Sequence, residues 1–305
     1  MRSVATDSAG EPPAGDLLLL TIGVLAASSS GPLIAATAAP ALAIAFWRNG
    51  LGAAVVVPYA LLRARTDFRR MARHVLGLAL LSGTLLAAHF GTFVPSLHLT
   101  SVASAAALVC SQVVWAALFG RLLGERLRPR AWLGIAVSLL GVLLVTGVDL
   151  TLSTRALSGD LLALLGGLFG GGYIVVGGVV RRTLSTAAYT TVCYSTCAAL
   201  LLAVCVMSGQ ALGGYAADDW ARIVALTVLA QLLGHSIINL VLRSISPTVT
   251  SLSTLFTVPI AAVLAAVLLG QTPPLATLPA LVLLLGGTGM VVSARDRPVP
   301  AAAAD

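Results

Sequence analysis

The chain has 305 residues, of which 58% are hydrophobic and only 10% charged, and its mean hydropathy is +0.99. About a quarter of the residues of a soluble domain are charged, so this sequence cannot cover a water-facing surface and reads as a membrane protein. The net charge of +7 does not mark a nucleic-acid binder, because the 18 basic residues, all arginine, sit in short clusters between apolar runs.

A hydrocarbon core about 30 Å thick is crossed by roughly 20 apolar helical residues. Ten such runs follow in order: 17–37, 40–62, 75–97, 102–123, 131–148, 160–180, 187–207, 221–242, 249–269 and 275–293. The fold class is therefore all-α integral membrane, with short connections and no inserted soluble domain. Residues 1–15 and 295–305 are polar or rich in Ala and Pro, and are expected to be disordered tails. The first run is long for a cleaved signal, and the region before it sets Arg2 against Asp7, Glu11 and Asp16.

Span 1 is interrupted by "SSSGP" (28–32). Pro32 removes a backbone hydrogen bond, and the serines either re-satisfy freed groups or present hydroxyls to a cavity. Span 2 carries Arg48 near its middle. An ionisable residue at that depth usually has a function. Its guanidinium either clamps a carboxylate or phosphate, or snorkels or binds backbone carbonyls where helices meet. No Asp or Glu lies in a helix centre to partner it.

Span 3 carries His89, a candidate substrate ligand or proton relay or else a polar tie between helices. In span 4, Gln112 and Trp115 are three apart and share a face, so Trp115 either walls a pocket or packs. Glu125, at the end of span 4, sits among Arg121, Arg126, Arg128 and Arg130 and suits an interfacial ion pair or a gate. Span 6 contains "GGLFGGGYIVVGG" (166–178). This is either a discontinuity matching that of span 1, or close helix packing through Gly166 and Gly170. Tyr173 is its candidate wall residue.

The cysteines, Cys110, Cys193, Cys197 and Cys205, fall inside apolar runs and read as small buried hydrophobes. No disulfide, metal site or cofactor is implied. Span 8 places Gln231, His235 and Asn239 at four-residue intervals, a polar stripe on one helical face that should turn toward a cavity or another helix rather than lipid. In span 9, Thr257 and Pro259 suggest a kink.

Orientation follows from the arginines. With the N-terminus in the cytoplasm, the inner segments hold fifteen of them, including the clusters at 63–73, 121–130 and 181–182. The outer segments hold only Arg155 and Arg222. Both termini are then cytoplasmic, as in a bacterial-type inner membrane.

The chain also repeats itself. "LLGERLRPR" (122–130) returns as "LLGQTPPLA" (268–276), 146 residues on, with its charges removed. "GDLLLL" (15–20) returns as "GDLLAL" (159–164), and "LLGVLLVTG" (139–147) is echoed by "LLGGTGMVV" (284–292). At the same offset His89 corresponds to His235. These echoes divide the chain into five-helix units at 16–148 and 159–294, with an external linker at 149–158. Five is odd, so the second unit enters the membrane the other way up, as an inverted repeat. The first Leu-Leu-Gly box then emerges inside, where arginine is favoured, and the second outside, where it is not.

The Gly-Glu box after the fourth helix, "LLGVLL" of the fifth, "FWRNG" of the second, "LTSVASAAAL" (99–108) and the duplicated layout resemble the EamA-type proteins of the drug/metabolite transporter superfamily. The resemblance implies secondary transport of small metabolites, often export of amino acids or related compounds. The candidate substrate-binding set is Arg48, His89, Gln112, Trp115, Tyr173, Gln231, His235 and Asn239. The expected partners are a small-molecule substrate, the lipid bilayer and a second copy met through spans 5 and 10. A structural or partner-binding membrane subunit is the alternative. An embedded enzyme lacks the required motifs, with no His-Glu-x-x-His, no paired intramembrane carboxylates and no Gly-x-Ser-x-Gly.

Overall fold

In lipid a backbone must satisfy its own polar groups, which leaves helices as the means of spanning for a chain of this pattern. The structure is a computed structural model that describes residues 14–123, 127–235, 237, 253 and 255–295. It is all helical over them, with no strand among the described residues. The helices are α1 (Ala14–Ser28), α2 (Ser30–Ala36), α3 (Ala41–Arg63), α4 (Arg65–Arg70), α5 (Arg73–Ser96), α6 (Val102–Val109), α7 (Gln112–Leu122), α8 (Pro129–Leu152), α9 (Thr154–Val180), α10 (Thr186–Met207), α11 (Ala217–Leu226), a π-helical segment (Thr227–His235), α12 (Thr257–Leu269) and α13 (Leu278–Arg295).

Eight stretches are long and apolar enough to cross a membrane, corresponding to spans 1 to 7 and span 10. Spans 8 and 9 are described only in part, as α11 with the π-helical segment and as the 13-residue α12. Both expected tails, and Glu125, lie outside the described residues apart from Ala14, Gly15 and Arg295, which are helical.

Serines set several helix starts. Ser101, Ser153 and Ser185 each accept a hydrogen bond from the backbone N–H three residues on, opening α6, α9 and α10. Ser153 is also all that separates α8 from α9, so the expected linker 149–158 is helical on both sides of one residue. Span 1 does break at its serines. The Ser28 and Ser29 hydroxyls donate back to the carbonyls of Val24 and Ala26, both at 2.7 Å, leaving Ser30 to point elsewhere. Span 4 also breaks, between α6 and α7. Span 6 does not: α9 is continuous, and its glycines serve close packing instead. A Cβ on Gly166 would press on Phe93, and one on Gly171 would lie 2.7 Å from the Cβ of Trp115. Pro259 falls in the first turn of α12, where a proline is tolerated and need not kink.

The second Leu-Leu-Gly box now has a structural meaning. Gly270 adopts φ +67 and its N–H reaches Ala266 O at 3.1 Å, ending α12 in the left-handed turn that glycine favours. Gln271 then reaches across and accepts the N–H of Val102 at 3.3 Å, in the first turn of α6. The box therefore closes one helix and caps another.

Helices at equivalent positions of the two halves pack on each other. α8 lies along α13, α6 against α12, and α3 against α10. Exchanging the halves also exchanges the pairs α5 with α9 and α1 with the π-helical segment, both of which are packed. On α8, Gly134 faces Gly287, Met290 and Val291, while Gly141, further along, faces Leu284, further back, so the two helices are antiparallel. The same holds for α6 and α12, where Val102 meets Gln271 and Cys110 meets Thr257. Ser138 touches Leu284 and Thr288 at this crossing, and Ser138 and Leu284 are 146 residues apart.

A Cβ on Gly141 would stand 2.5 Å from Leu284 N and 2.7 Å from its Cα. Overpacking of this kind costs about 1–3 kcal/mol, more than the roughly 1 kcal/mol that a Gly-to-Ala change adds to a helix. Gly141→Ala is therefore expected to lower the thermal unfolding midpoint of the detergent-solubilised protein. Gly147→Ala, where nothing lies within 4 Å, is expected to leave it unchanged or raise it. Equal effects at the two positions would refute the close crossing.

Candidate functional site

Among the described residues Arg48 is the largest fully buried side chain, with 2% of its surface exposed. A guanidinium in a low-dielectric interior is tolerated only when it is hydrogen-bonded or paired. Its Nε donates to Gln231 Oε1 at 2.7 Å, and its Nη1 donates to Ser30 Oγ at 3.0 Å. Its plane lies over the ring of Phe90, 4.4 Å from the centroid, where the ring's negative face attracts the cation. Tyr194 is also close: it interacts with Arg48 and Gln231, and a Cβ at Gly52 would touch both it and Gln231. The groups come from spans 1, 2, 3, 7 and 8, which belong to both halves.

Local structure explains how each group arrives. The broken first span frees Ser30 from the back-bonding that occupies Ser28 and Ser29. The π-helical segment widens the turn around Gln231, a feature that recurs at functional sites. Asn49, the neighbour of Arg48, is fully buried and donates to Ala45 O at 2.9 Å. It therefore serves its own helix rather than the cluster.

His89 is one residue from Phe90 and lies beside its ring. Its Nδ1 is 2.8 Å from Gly166 O. A carbonyl only accepts, so Nδ1 carries the proton and, in the neutral ring, Nε2 is the acceptor. The imidazole stacks on Phe93 at 5.8 Å and meets Phe90 edge-on at 4.9 Å. Gln112 converges on the same place, since a Cβ at Gly170 would be 2.7 Å from Gln112 Oε1 and 2.9 Å from His89 Nδ1. Arg48, Gln231, His89 and Gln112 thus form two adjoining groups joined through Phe90.

The remaining candidates divide. Trp115 packs on the glycine face of α9 at Gly171. Tyr173 interacts with Tyr194 at the edge of the Arg48 cluster. It contacts Tyr189, whose hydroxyl is 2.7 Å from Ser82 Oγ, in a second buried group nearer the arginine-rich end. His235 ends the π-helical segment and its side chain lies outside the described residues, as does Asn239 entirely. The four cysteines are buried and unbridged.

Sequence reasoning did not select Phe90, Tyr194 or Ser82. A phenylalanine in an apolar run carries no signal. Tyr194, however, stands 146 residues from Arg48, at the repeat offset, so an equivalence search would have found it.

The shell predicts a stability effect that is independent of any ligand. Gln231→Leu removes the acceptor of Arg48 Nε, and an unsatisfied buried donor costs about 1–3 kcal/mol, more when charged. The unfolding midpoint in detergent is expected to fall further for Gln231→Leu than for Ser30→Ala. A Gln231→Leu protein as stable as wild type would show that the guanidinium does not depend on that bond.

Comparison with known proteins agrees with this architecture. No curated protein matches the chain. A solved structure described as "Crystal structure of protein" is similar to it, with a TM-score of 0.62 and 21% identity, over 93% of this chain and 99% of that one. At that identity the likeness shows the fold. A model of the EamA-like transporter family matches twice, over residues 14–147 and 157–293, so the family match is itself a two-repeat one. The chain therefore belongs to the EamA-like transporter family, membrane transporters of the drug/metabolite transporter superfamily.

Proposed function

We propose that the protein is a secondary transporter, working as an exporter of small polar metabolites such as amino acids, by alternating access around a midplane cavity beside Arg48. The observation that carries this reading is the Arg48 cluster: a buried cation near the middle of a span that meets polar and aromatic groups from both halves of the chain. In this reading the ten spans form inverted five-helix units, supported by the antiparallel packing of α8 with α13 and of α6 with α12. The arginine-rich ends face the cytoplasm of a bacterial-type cell.

A guanidinium with a planar fork of donors suits an anionic group on the cargo, so Arg48 is assigned the carboxylate end of the substrate. Gln231 and Ser30 orient it. His89 and Gln112 face the adjoining space, and His235 and Asn239 are assigned to the same cavity from the far end of the span 8 stripe. A homodimer through spans 5 and 10 would use the side of α8 and α13 away from their mutual contact, where Leu143 and Val282 are both 69% exposed.

The test is a thermal-shift screen of purified protein against amino acids, organic acids, sugars, amines and nucleotides, on wild type and Arg48→Ala. A ligand at a hundred times its dissociation constant stabilises by about 2.7 kcal/mol. Stabilisation by carboxylate-bearing ligands that disappears in Arg48→Ala is the expected result. A carboxylate shift that survives in Arg48→Ala removes Arg48 from the site. No shift with any ligand favours the structural-subunit reading.

A further inference from the structure

A cleft of about 360 Å³ opens at the arginine-poor face, within the size range of small-molecule sites. One wall is the connection 37–41 between spans 1 and 2, and the other is formed by Pro95, His98 and Leu99 at the end of span 3. These are the spans that deliver Ser30, Arg48 and Phe90. Seven residues separate Ser30 from Thr37 and Arg48 from Ala41, and eight separate Phe90 from His98. At about 1.5 Å per helical residue, the cleft stands roughly 10–12 Å beyond the Arg48 cluster, along the same helices.

Both walls are held in place from outside. Asp219 Oδ1 accepts the N–H of Ala38 at 3.0 Å and is fixed in turn by Arg222 at 2.9 Å. On the far wall, Arg155 Nη2 donates to His98 O at 2.8 Å. The charged groups thus grip backbone behind the cleft, while the cleft itself is lined by alanines, two prolines, Leu99, Thr37 and His98. Thr37 spends its hydroxyl on Leu33 O. His98 Nε2 has no hydrogen-bond partner among the described residues. Burial, reinforced by the charge of Arg155, lowers the His98 pKa below its ordinary value, which keeps the ring neutral.

We propose that this cleft is the mouth of the substrate pathway at the arginine-poor face, a vestibule that holds the cargo's apolar part against alanine, proline and the side of the neutral His98 ring. The proposal rests on the transporter reading of the Arg48 cluster. A lining with neither formal charge nor a dense set of polar groups holds a solute weakly, as a place of passage must.

The test needs no identified cargo. Ser30→Cys places a thiol beside Arg48, and the anionic, membrane-impermeant reagent 2-sulfonatoethyl methanethiosulfonate serves as the probe. The four native cysteines are buried and provide a low background. Applied to the arginine-poor face of sealed vesicles, the probe is expected to label Ser30→Cys and, faster, Ala38→Cys in the cleft. Adding Ala38→Trp, or independently Ala41→Trp, is expected to slow labelling of Ser30→Cys at least tenfold. Leu62→Trp, at a position 72% exposed on another part of the bundle, is expected to leave the rate unchanged. Gel filtration confirms that each variant is folded. If both tryptophans leave the Ser30→Cys rate unchanged, or if a folded Ser30→Cys protein is never labelled from that face, the cleft is not the mouth. Failure of the transport reading shows separately, as absence of flux of any amino acid or organic acid of the screening panel in reconstituted vesicles in which the labelling pattern is intact.

Discussion

The hydrocarbon around this chain cannot solvate a guanidinium, so the position of Arg48 dictates much of what surrounds it. A cation buried to 2% exposure needs acceptors within hydrogen-bond reach. Neighbouring turns of its own helix are apolar, so they come from elsewhere: Ser30 from a broken first span, Gln231 from a widened eighth, and a ring face from Phe90. Two departures from a regular α-helix, in spans 1 and 8, coincide with groups turned toward this charge. The break at Ser29 and the π-helical segment at 227–235 are therefore parts of one arrangement.

The second organising constraint is the repeat. Contacts close to the pseudo-axis occur between residues 146 or 147 apart: Arg48 with Tyr194, Cys110 with Thr257, Ser138 with Leu284. The offset first seen in two Leu-Leu-Gly boxes is thus the spacing at which the halves touch. At the 5–10 crossing glycines on both sides let the helices meet closely, with Gly134, Gly141 and Gly287 admitting no side chain. At the 2–7 crossing the symmetry is broken, since one half supplies a cation and the other a phenol. Symmetric packing holds the scaffold together, and the asymmetric pair belongs to the Arg48 cluster.

Much of this was legible in the sequence because membrane helices obey a strong rule of length and hydropathy. The runs at 17–37, 40–62 and 75–97 differ by only a few residues from α1 with α2, α3 and α5. Arg48 and Gln231 stood out because polar atoms in lipid are costly, and the structure joins them directly. Other features were hidden for physical reasons. The glycines of "GGLFGGGYIVVGG" fit a break as well as a tight contact, and only the neighbours at Phe93, Gln112 and Trp115 decide for contact. Tyr173 shares the polarity of the site residues, yet it lies on the part of α9 that meets Tyr189. Phe90 was indistinguishable from any core phenylalanine, because a ring's role as cation partner depends on what stands over its face. The linker expected at 149–158 shrank to Ser153 because polar residues at a helix end extend the helix when a serine can cap the next one.

The bond between Arg48 and Gln231 also joins the two repeat units, since α3 belongs to the first and the π-helical segment to the second. Any movement of one unit against the other must lengthen, rotate or replace it. Breaking it in a dry interior leaves a charged donor unsatisfied, a penalty of the same size as the differences that separate conformations of a switching protein. A ligand shifts such an equilibrium only by binding one conformation better than the other. An anionic group that takes over the guanidinium when Gln231 withdraws supplies that difference directly. In the transport reading proposed above, the same residue would recognise the cargo and make the conformational change cheaper when cargo is present, which is the coupling that alternating access requires.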